Sequence, residues 1–214
     1  MTLTGAGRRF HVLLSPKRRH RQLNGRSGLI GCSGGFLLGD YKVGSYGYGK
    51  REVLLWVYEH FPERATALDV GACDGKWFDI LGNHFKMDAV VIFVPNVIIH
   101  DLPAKYNQVF VGDIKNVKYD WYDLIIFGDV IEHMTVEDAQ AVLAYAWPRC
   151  KDLIVAVPWE YEQEAIYGNK WEEHLQSDLT PAIFDARYPG MELIFDTGHQ
   201  YAYYHKGADA FVRP

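Results

Sequence analysis

Three polar side chains suited to proton transfer follow one apolar run in the sequence. Asp129, Glu132 and His133 come directly after Tyr122-Asp-Leu-Ile-Ile-Phe-Gly128, which predicts a buried strand. A histidine with an ordinary pKa of ~6.5 can accept a proton near neutral pH, and a neighbouring carboxylate can orient it or pair with its charge. We therefore predict that His133 is a general base and Glu132 its partner. The alternative is that both residues only hold the turn after the strand.

A turn bounded by two glycines follows another apolar run, in Ala67-Leu-Asp-Val-Gly-Ala-Cys-Asp-Gly75. Gly71 and Gly75 allow a tight turn and the close approach of a ligand that a Cβ would exclude. A helical pattern starts next, and the first turn of a helix offers N–H groups to a carboxylate or phosphate. Open α/β sheets bind nucleotides where a strand ends in glycines and leads into a helix. Without a ligand, the same stretch is an ordinary strand–turn–helix corner.

Strands and helices alternate from residue 50 onward, which predicts a mostly parallel α/β sheet with helices on both faces and a C-terminal antiparallel hairpin. The predicted strands are 65–70, 89–94, 108–111, 123–127, 153–157, 191–196 and 200–205. The predicted helices are 50–61, 75–85 and the two that Thr135 and Thr180 cap, with a loop or irregular helix over 96–106. Ligands bind at the carboxyl ends of the strands in such sheets. We therefore expect the polar residues after strands one, three, four and five to converge on one edge.

Several of these stretches resemble motifs of one family. Asp69-x-Gly-x-x-x-Gly75 is similar to the first motif of the class I (Rossmann-like) S-adenosyl-L-methionine (SAM)-dependent methyltransferases. Val109-Phe-Val-Gly-Asp-Ile114 looks like their third motif, and residues 122–134 resemble the fourth, an apolar strand leading into an Asp-Val-x-Glu-His turn. The resemblance covers about residues 45–206. It implies a Rossmann-like fold, SAM as cofactor and methyl transfer as activity, and it says almost nothing about the acceptor.

The same resemblance implies roles for single residues. Asp69 would orient the glycine turn or the SAM ammonium, Asp113 would accept a hydrogen bond from the adenine amino group, and Asp129 would lie near the reacting methyl. For Asp113, the alternative is a carboxylate that only caps a turn. The complete set of implied cofactor-binding residues is Asp69, Gly71, Ala72, Gly75, Asp113, Ile114 and Asp129.

The second predicted strand departs from the family pattern. Adenosyl- and dinucleotide-binding sheets usually have an acid about 20 residues after the glycine turn, where it binds the ribose hydroxyls. Position 91 is a valine in this chain, and no acid lies in 89–94. We therefore expect an unusual ribose contact, with Asn96 as a neutral substitute, and weakened SAM binding.

Other functions fit parts of the same pattern. One is a SAM-fold binding protein without catalysis. Another is a metal-assisted RNA 2′-O-methyltransferase, because the small-RNA enzymes also have a Glu-x-x-Glu-His stretch with later histidines that bind a metal. Here that divalent site would consist of Asp129, Glu132, His133 and His174, whereas our leading prediction has no metal. An NAD-dependent oxidoreductase is disfavoured because the G-x-G-x-x-G pattern is missing.

Charge is distributed unevenly along the 214 residues. The segment 1–39 contains seven basic residues and no acid, although the chain has 27 acidic residues and a net charge of -5. We predict a loosely ordered, basic, glycine-rich extension over 1–44 and a methyltransferase domain over 45–214. An RNA contact, an acidic partner or an organelle transit segment are alternatives for the extension. The acidic remainder disfavours an anionic acceptor, so we expect the amine, phenol or neutral hydroxyl of a small molecule.

The cysteines and the apolar runs bear on location. Cys32, Cys73 and Cys150 are odd in number and far apart, which excludes a disulfide framework or C-x-x-C metal site and favours a reducing compartment. No apolar run approaches the ~18 residues that a membrane span requires. We therefore predict a cytoplasmic protein without a membrane partner.

Overall fold

A computed structural model of the chain describes residues 49–166, 168–198 and 200–207. The predicted extension over 1–44 lies outside these residues. Within the described ranges, no helix is long and apolar enough to span a membrane.

In the part of the chain that the structure describes, seven strands form a single sheet. They are β1 Ala65–Val70, β2 Phe85–Val91, β3 Gln108–Val111, β4 Tyr122–Gly128, β5 Cys150–Pro158, β6 Met191–Asp196 and β7 Tyr201–Lys206. Their order across the sheet is β3-β2-β1-β4-β5-β7-β6. Strands β1 to β5 pair in parallel, and β7 lies antiparallel to both β5 and β6. The predicted parallel sheet with a C-terminal antiparallel hairpin is therefore confirmed.

Helices cover both faces of the sheet, as predicted. They are α1 Lys50–His60, α2 Lys76–Leu81, α3 Val94–Ile99, α4 Leu102–Lys105, α5 Val136–Ala146 and α6 Pro181–Arg187. Neighbouring side chains of a strand point to opposite faces, so Leu124 and Ile126 pack with α1 and α2, whereas Ile125 and Phe127 pack with α5 and α6. The predicted caps are present, since Thr135 and Thr180 accept backbone N–H bonds at the starts of α5 and α6.

The boundaries around β2 differ from our predictions. Strand β2 begins at Phe85 rather than residue 89 and ends at Val91 rather than residue 94, and α2 ends at Leu81 rather than residue 85. The apolar side chain of Phe85 continued the helical spacing in the sequence. In the structure Phe85 is the first residue of β2, where it pairs with Ala65 of β1. Its buried side chain begins the alternation of buried and more exposed residues along the first half of this strand. The stretch predicted as a loop or irregular helix contains the short helices α3 and α4.

Successive strands of the chain are added first on one side of β1 and then on its other side. Strands β2 and β3 lie on one side of β1, and β4 and β5 lie on the other. The carboxyl ends of β1 and β4 therefore flank a crevice of the kind in which open α/β sheets bind ligands. The glycine turn after β1 and the Asp129–His133 stretch after β4 both lie at this point.

Candidate active site

The turn after β1 requires glycine for two reasons. Gly71 and Gly75 have φ angles of 76° and 81°, and Cys73 between them has 40°. A Cβ on Gly71 would lie 2.6 Å from Cγ2 of Val130, in the turn after β4. The backbone N–H groups of Gly71 and Ala72 both donate to the carbonyl of Val90 in β2, at 3.0 and 3.2 Å. The turns after β1 and β4 are therefore in direct contact.

The turn after β4 also adopts an uncommon backbone conformation. Asp129 has a φ of 58°, a left-handed conformation that is uncommon outside glycine and tends to occur at functional sites. Trp77 of α2 packs over Gly128, where any Cβ would overlap its indole nitrogen. The hydroxyl of Tyr201 donates to the Asp129 carboxylate, and burial raises the pKa of Tyr201, so this donor keeps its proton. Asp129 is thus oriented from the first residue of β7.

A buried acid lies beneath the glycine turn. Asp69 is fully buried and accepts a hydrogen bond from the hydroxyl of Tyr106. Burial raises the pKa of Asp69 to about 7, although the Tyr106 hydrogen bond and the charge of Lys50 oppose the shift. This position suits the predicted role of orienting the turn better than direct contact with a ligand.

A buried ammonium group lies close to the same turn. Lys50, the first residue of α1, is 5% exposed, and its Nζ lies 4.4 Å from the centre of a Trp77 ring. Among the described residues, Nζ has no hydrogen-bond partner. Burial lowers the pKa of Lys50 to about 8, an effect that the charge of Asp129 partly offsets. The site therefore contains a cation that is stabilised mainly by an aromatic ring and by distant carboxylates.

Glu132, His133 and His174 form a cluster near Asp129. One ligand atom from each of the three lies within 4.8 Å of the others. Nδ1 of His133 donates to the carbonyl of Glu173 at 3.1 Å, and Nδ1 of His174 donates to the carbonyl of Tyr161 at 2.8 Å. Both Nε2 atoms therefore keep their lone pairs in this tautomer.

Burial controls protonation in this cluster. It lowers the pKa of His133 to about 4, helped by repulsion from His174, and it also lowers the pKa of His174. Both imidazoles are therefore neutral at pH 7. Burial, with the nearby charge of Asp129, raises the pKa of Glu132 well above its usual value.

Asp113 and Ile114 follow β3, at the same edge. The Asp113 carboxylate accepts the backbone N–H of Lys115 at 3.0 Å, so it caps its own turn. Its other oxygen lies 3.7 Å from the Lys115 ammonium, which also pairs with Asp138 at 2.7 Å. Ile114 is buried in the core. The adenine contact predicted for Asp113 stays a prediction.

The carboxyl end of β2 has no acidic residue that could bind the ribose hydroxyls. Asp88 lies within the strand and accepts from the hydroxyl of Tyr122 at 2.7 Å, and Asp101 is exposed at the start of α4. The amide nitrogen of Asn96 lies 3.5 Å from Sγ of Cys73 in the glycine turn. Asn96 is therefore next to the turn, where a substitute for the missing acid would have to be.

Sequence reasoning overlooked three residues of this site, Lys50, Tyr106 and Tyr201. Tyr201 had a usable signal, because an antiparallel strand begins at the edge where its parallel neighbours end, and Tyr201 pairs with Pro158 at the end of β5. Lys50 and Tyr106 had none, since their contacts depend on how α1 and the residues after α4 pack. The sequence pointed to His174 only as a ligand in the metal alternative.

The sequence matches no family model and no curated protein. The structure is similar to a SAM-dependent methyltransferase from Clostridium acetobutylicum (TM-score 0.56, 10% identity, 74% of this chain and 90% of the other). It is also similar to the N-terminal domain of EvdMO1, crystallised with S-adenosylhomocysteine (SAH) and D-fucose (TM-score 0.58, 13% identity, covering 78% of this chain and 85% of the other). A third similar structure is CalS10, an amino pentose methyltransferase from Micromonospora echinaspora, with bound SAM (TM-score 0.53, 12% identity, covering 73% of this chain and 89% of the other). This chain therefore has the fold of the class I SAM-dependent methyltransferases.

Proposed function

We propose that this chain is a SAM-dependent methyltransferase that acts on a hydroxyl or amino group of a small molecule. The observation that carries the proposal is the contact between two strained turns at the switch point of the sheet. Cys73 in the turn after β1 and Asp129 in the turn after β4, neither of them a glycine, both have positive φ angles there. Strained backbone of this kind persists only where the surrounding structure enforces it, and it concentrates at functional sites.

In this proposal, SAM binds along residues 71–75. The backbone of Gly71, Ala72 and Gly75 allows the methionine part of the cofactor to approach closely. The buried Lys50 ammonium, which has no hydrogen-bond partner among the described residues, is available to the methionine carboxylate. A carboxylate would compensate this buried charge, which is otherwise unfavourable.

The remaining cofactor contacts follow the strand ends. Asp113 and the Ile114 backbone would bind adenine beyond β3, and Asn96 would hold the ribose in place of an acid. Asp129, held by Tyr201, would lie near the sulfonium methyl. A fixed carboxylate at that point stabilises the positive charge of SAM without further reorganisation.

The acceptor would approach from the side of Glu132 and His133. Methyl transfer requires mainly that a nucleophile is aligned with the methyl and loses its proton. Nε2 of His133 has a free lone pair, so it can accept a hydrogen bond from the acceptor. Because burial lowers the pKa of His133 to about 4, it would be a weak base that takes the proton only as the methyl is transferred.

Charge around the site argues for a neutral or cationic acceptor. The segment that carries His174 is rich in acids and in exposed or partly exposed aromatic rings, including Tyr161, whose ring centre lies 5.4 Å from that of His174. The acids are Glu160, Glu162, Glu164, Glu172 and Glu173. An anionic acceptor would be repelled here, whereas the ring of a phenol or a sugar would stack well.

The experiment is turnover of the full chain with labelled SAM and a panel of phenols, sugars, amino sugars and short RNA. We expect SAH release above the acceptor-free background with at least one small molecule, and none with RNA. SAM binding without SAH release from any acceptor would favour a SAM-fold binding protein instead. The cytoplasmic location and the acidic partner for the extension 1–44 belong to the same proposal, and the location is supported by three widely spaced cysteines, a number and spacing that fit no disulfide framework.

A further inference from the structure

We propose that Glu132, His133 and His174 bind one divalent first-row transition-metal ion next to the end of β4. Their ligand atoms lie within 4.8 Å of one another. Ligands of a tetrahedral ion are about 3.4 Å apart, since metal–nitrogen and metal–oxygen bonds are ~2.1 Å. The ligand atoms therefore have to approach one another by at most about 1.4 Å to bind one ion.

Both histidines are already in the tautomer that binds metal. Each Nδ1 donates to a backbone carbonyl, of Glu173 for His133 and of Tyr161 for His174. Histidine ligands of metal sites almost always donate their second ring N–H to a carbonyl, carboxylate or water, which fixes the ring and makes the other nitrogen a better donor. The two Nε2 lone pairs are therefore oriented in advance.

Glu132 supplies an independent reason for a ligand at this place. Its side chain is 1% exposed, and neither carboxylate oxygen has a hydrogen-bond partner among the described residues. A buried polar group without a hydrogen-bond partner destabilises the folded state, and more so if it is charged. A bound cation would supply the missing partner for the carboxylate.

The backbone holds the two parts of the site together. His133 follows β4, whereas His174 lies about 40 residues later, yet the N–H groups of Leu175 and Gln176 both donate to the carbonyl of Glu132, at 2.8 and 3.0 Å. The Gln176 side chain donates to the carbonyl of Ile131 at 2.8 Å. The segment with His174 is thus fixed against the turn with His133 without any help from an ion.

The ligand set selects the ion. Two imidazoles and one carboxylate suit Zn²⁺, Mn²⁺, Fe²⁺ or Co²⁺, whereas Mg²⁺ and Ca²⁺ prefer oxygen ligands throughout. Three protein ligands leave open positions for water or substrate. The site therefore resembles a catalytic metal site with an open position more than a structural site with four protein ligands.

A role for the ion follows if the proposed function is correct. An ion at this place would bind the acceptor oxygen and lower the pKa of its hydroxyl, so that the proton passes to solvent water and His133 acts as a ligand instead of as a base. A remaining lone pair of that oxygen would then attack the methyl carbon while the carbon–sulfur bond of SAM breaks, which gives the methyl ether and SAH. An amine would have its single lone pair occupied by the ion, so the ion favours O-methylation over N-methylation.

The test is titration of the chelator-treated full chain with Co²⁺, followed by its absorption spectrum, and with Zn²⁺ and Mg²⁺ by calorimetry. We expect one Co²⁺ and one Zn²⁺ per chain and Mg²⁺ at least 100-fold weaker. His174→Ala and Glu132→Gln should each weaken Zn²⁺ more than ~100-fold, which exceeds the loss typical of a removed outer-shell partner. His60→Ala, an exposed histidine outside the cluster, should leave the affinity unchanged.

SAM affinity and the melting temperature of each variant are measured in parallel. Absence of stoichiometric Co²⁺ or Zn²⁺ binding would overturn the metal site, as would Zn²⁺ binding that survives both His174→Ala and Glu132→Gln in folded protein. SAM binding is unaffected by either of these outcomes, so the metal site and the proposed function fail separately.

Discussion

The two halves of the candidate site are built by different means. The half after β1 consists of backbone: Gly71 and Gly75 have positive φ angles, and residues 71 and 72 are tied to β2 by their N–H groups. The half after β4 consists of side chains, in which the buried Glu132 and the half-buried His133 and His174 come from segments about 40 residues apart. We propose that the first half binds the cofactor. The second half offers proton- or metal-binding groups, and we propose that it binds the acceptor.

This contrast predicts which property each substitution changes. Changes in the backbone half should alter SAM affinity. Changes in Glu132, His133 or His174 of the side-chain half should alter turnover and leave SAM affinity nearly constant.

His133→Ala should produce the largest effect. Loss of a general base, or of a metal ligand, typically lowers the rate ~10²–10⁴-fold. We expect this loss in turnover with an accepted substrate and less than a threefold change in SAM affinity by calorimetry, with His60→Ala as the control. An unchanged rate would show that His133 only holds the turn. A loss of SAM affinity as large as the loss in rate would show that the two halves do not separate cofactor binding from turnover.

Gly71→Val should abolish measurable SAM binding, a loss of about 100-fold or more. A side chain here would occupy the cofactor path and lie against Val130, and a β-branched residue at positive φ adds ~1–3 kcal/mol of strain. Gly198→Val is the matched control, because Gly198 has a φ of 89° but no heavy atom within 4 Å of its Cβ position. Normal SAM affinity of a folded Gly71→Val protein would contradict the assignment of the cofactor to this turn.

Lys50→Met should stabilise the protein while weakening SAM. Burial lowers the pKa of Lys50 from 10.5 to about 8, so the charged form is disfavoured in the folded state by up to about 3 kcal/mol at ~1.4 kcal/mol per unit. This penalty is complete below pH 8 and disappears as the pH rises to 10.5. The gain in melting temperature should therefore be larger at pH 7 than at pH 10. Lys118→Met, which removes an exposed lysine over the Tyr145 ring, should change neither property.

Asn96→Ala should weaken SAM by about tenfold or less, because a neutral hydrogen bond contributes ~0.5–1.5 kcal/mol. Asn96→Asp would introduce a charged acceptor and should tighten binding. The exposed Asn83→Ala is the control. If Asn96→Asp weakens SAM instead, the ribose is held elsewhere and our alignment of β2 with other SAM sites is wrong.

Removal of residues 1–39 should have the smallest effect. Their acid-free charge and many glycines separate them from the acidic remainder. A chain that begins at Asp40 should keep its melting temperature within a few degrees and its SAM affinity within twofold. Loss of a cooperative transition would show that this segment belongs to the folded domain.

The sequence predicts the fold well because the apolar runs that form the buried strands are local signals. Six of the strands lie within a few residues of their predicted positions, and the Thr135 and Thr180 caps were recognisable from spacing alone. The error at β2 has a local cause as well, since Phe85 fits a helical and a strand pattern equally. The glycine turn was predictable because its conformation depends on its own residues.

The remaining parts of the site depend on packing that no local pattern contains. Tyr106, just before β3, reaches Asp69 only because β2 lies between β3 and β1 in the sheet, and Lys50 becomes buried only when α1 packs on Trp77. His174 meets His133 because backbone hydrogen bonds from Leu175 and Gln176 hold two distant segments together. No general spacing rule links the two residues of any of these pairs, so the sequence alone does not indicate their contacts.

Calorimetric titration of the full chain with SAM and with NAD shows whether the backbone half binds SAM. We expect saturable binding of SAM with one site per chain and no heat from NAD. The missing acid at β2 should make the affinity weaker than usual, by roughly one to two orders of magnitude, because a charge-assisted hydrogen bond contributes ~1.5–3 kcal/mol. A chain that binds NAD and not SAM, or neither, would contradict this account.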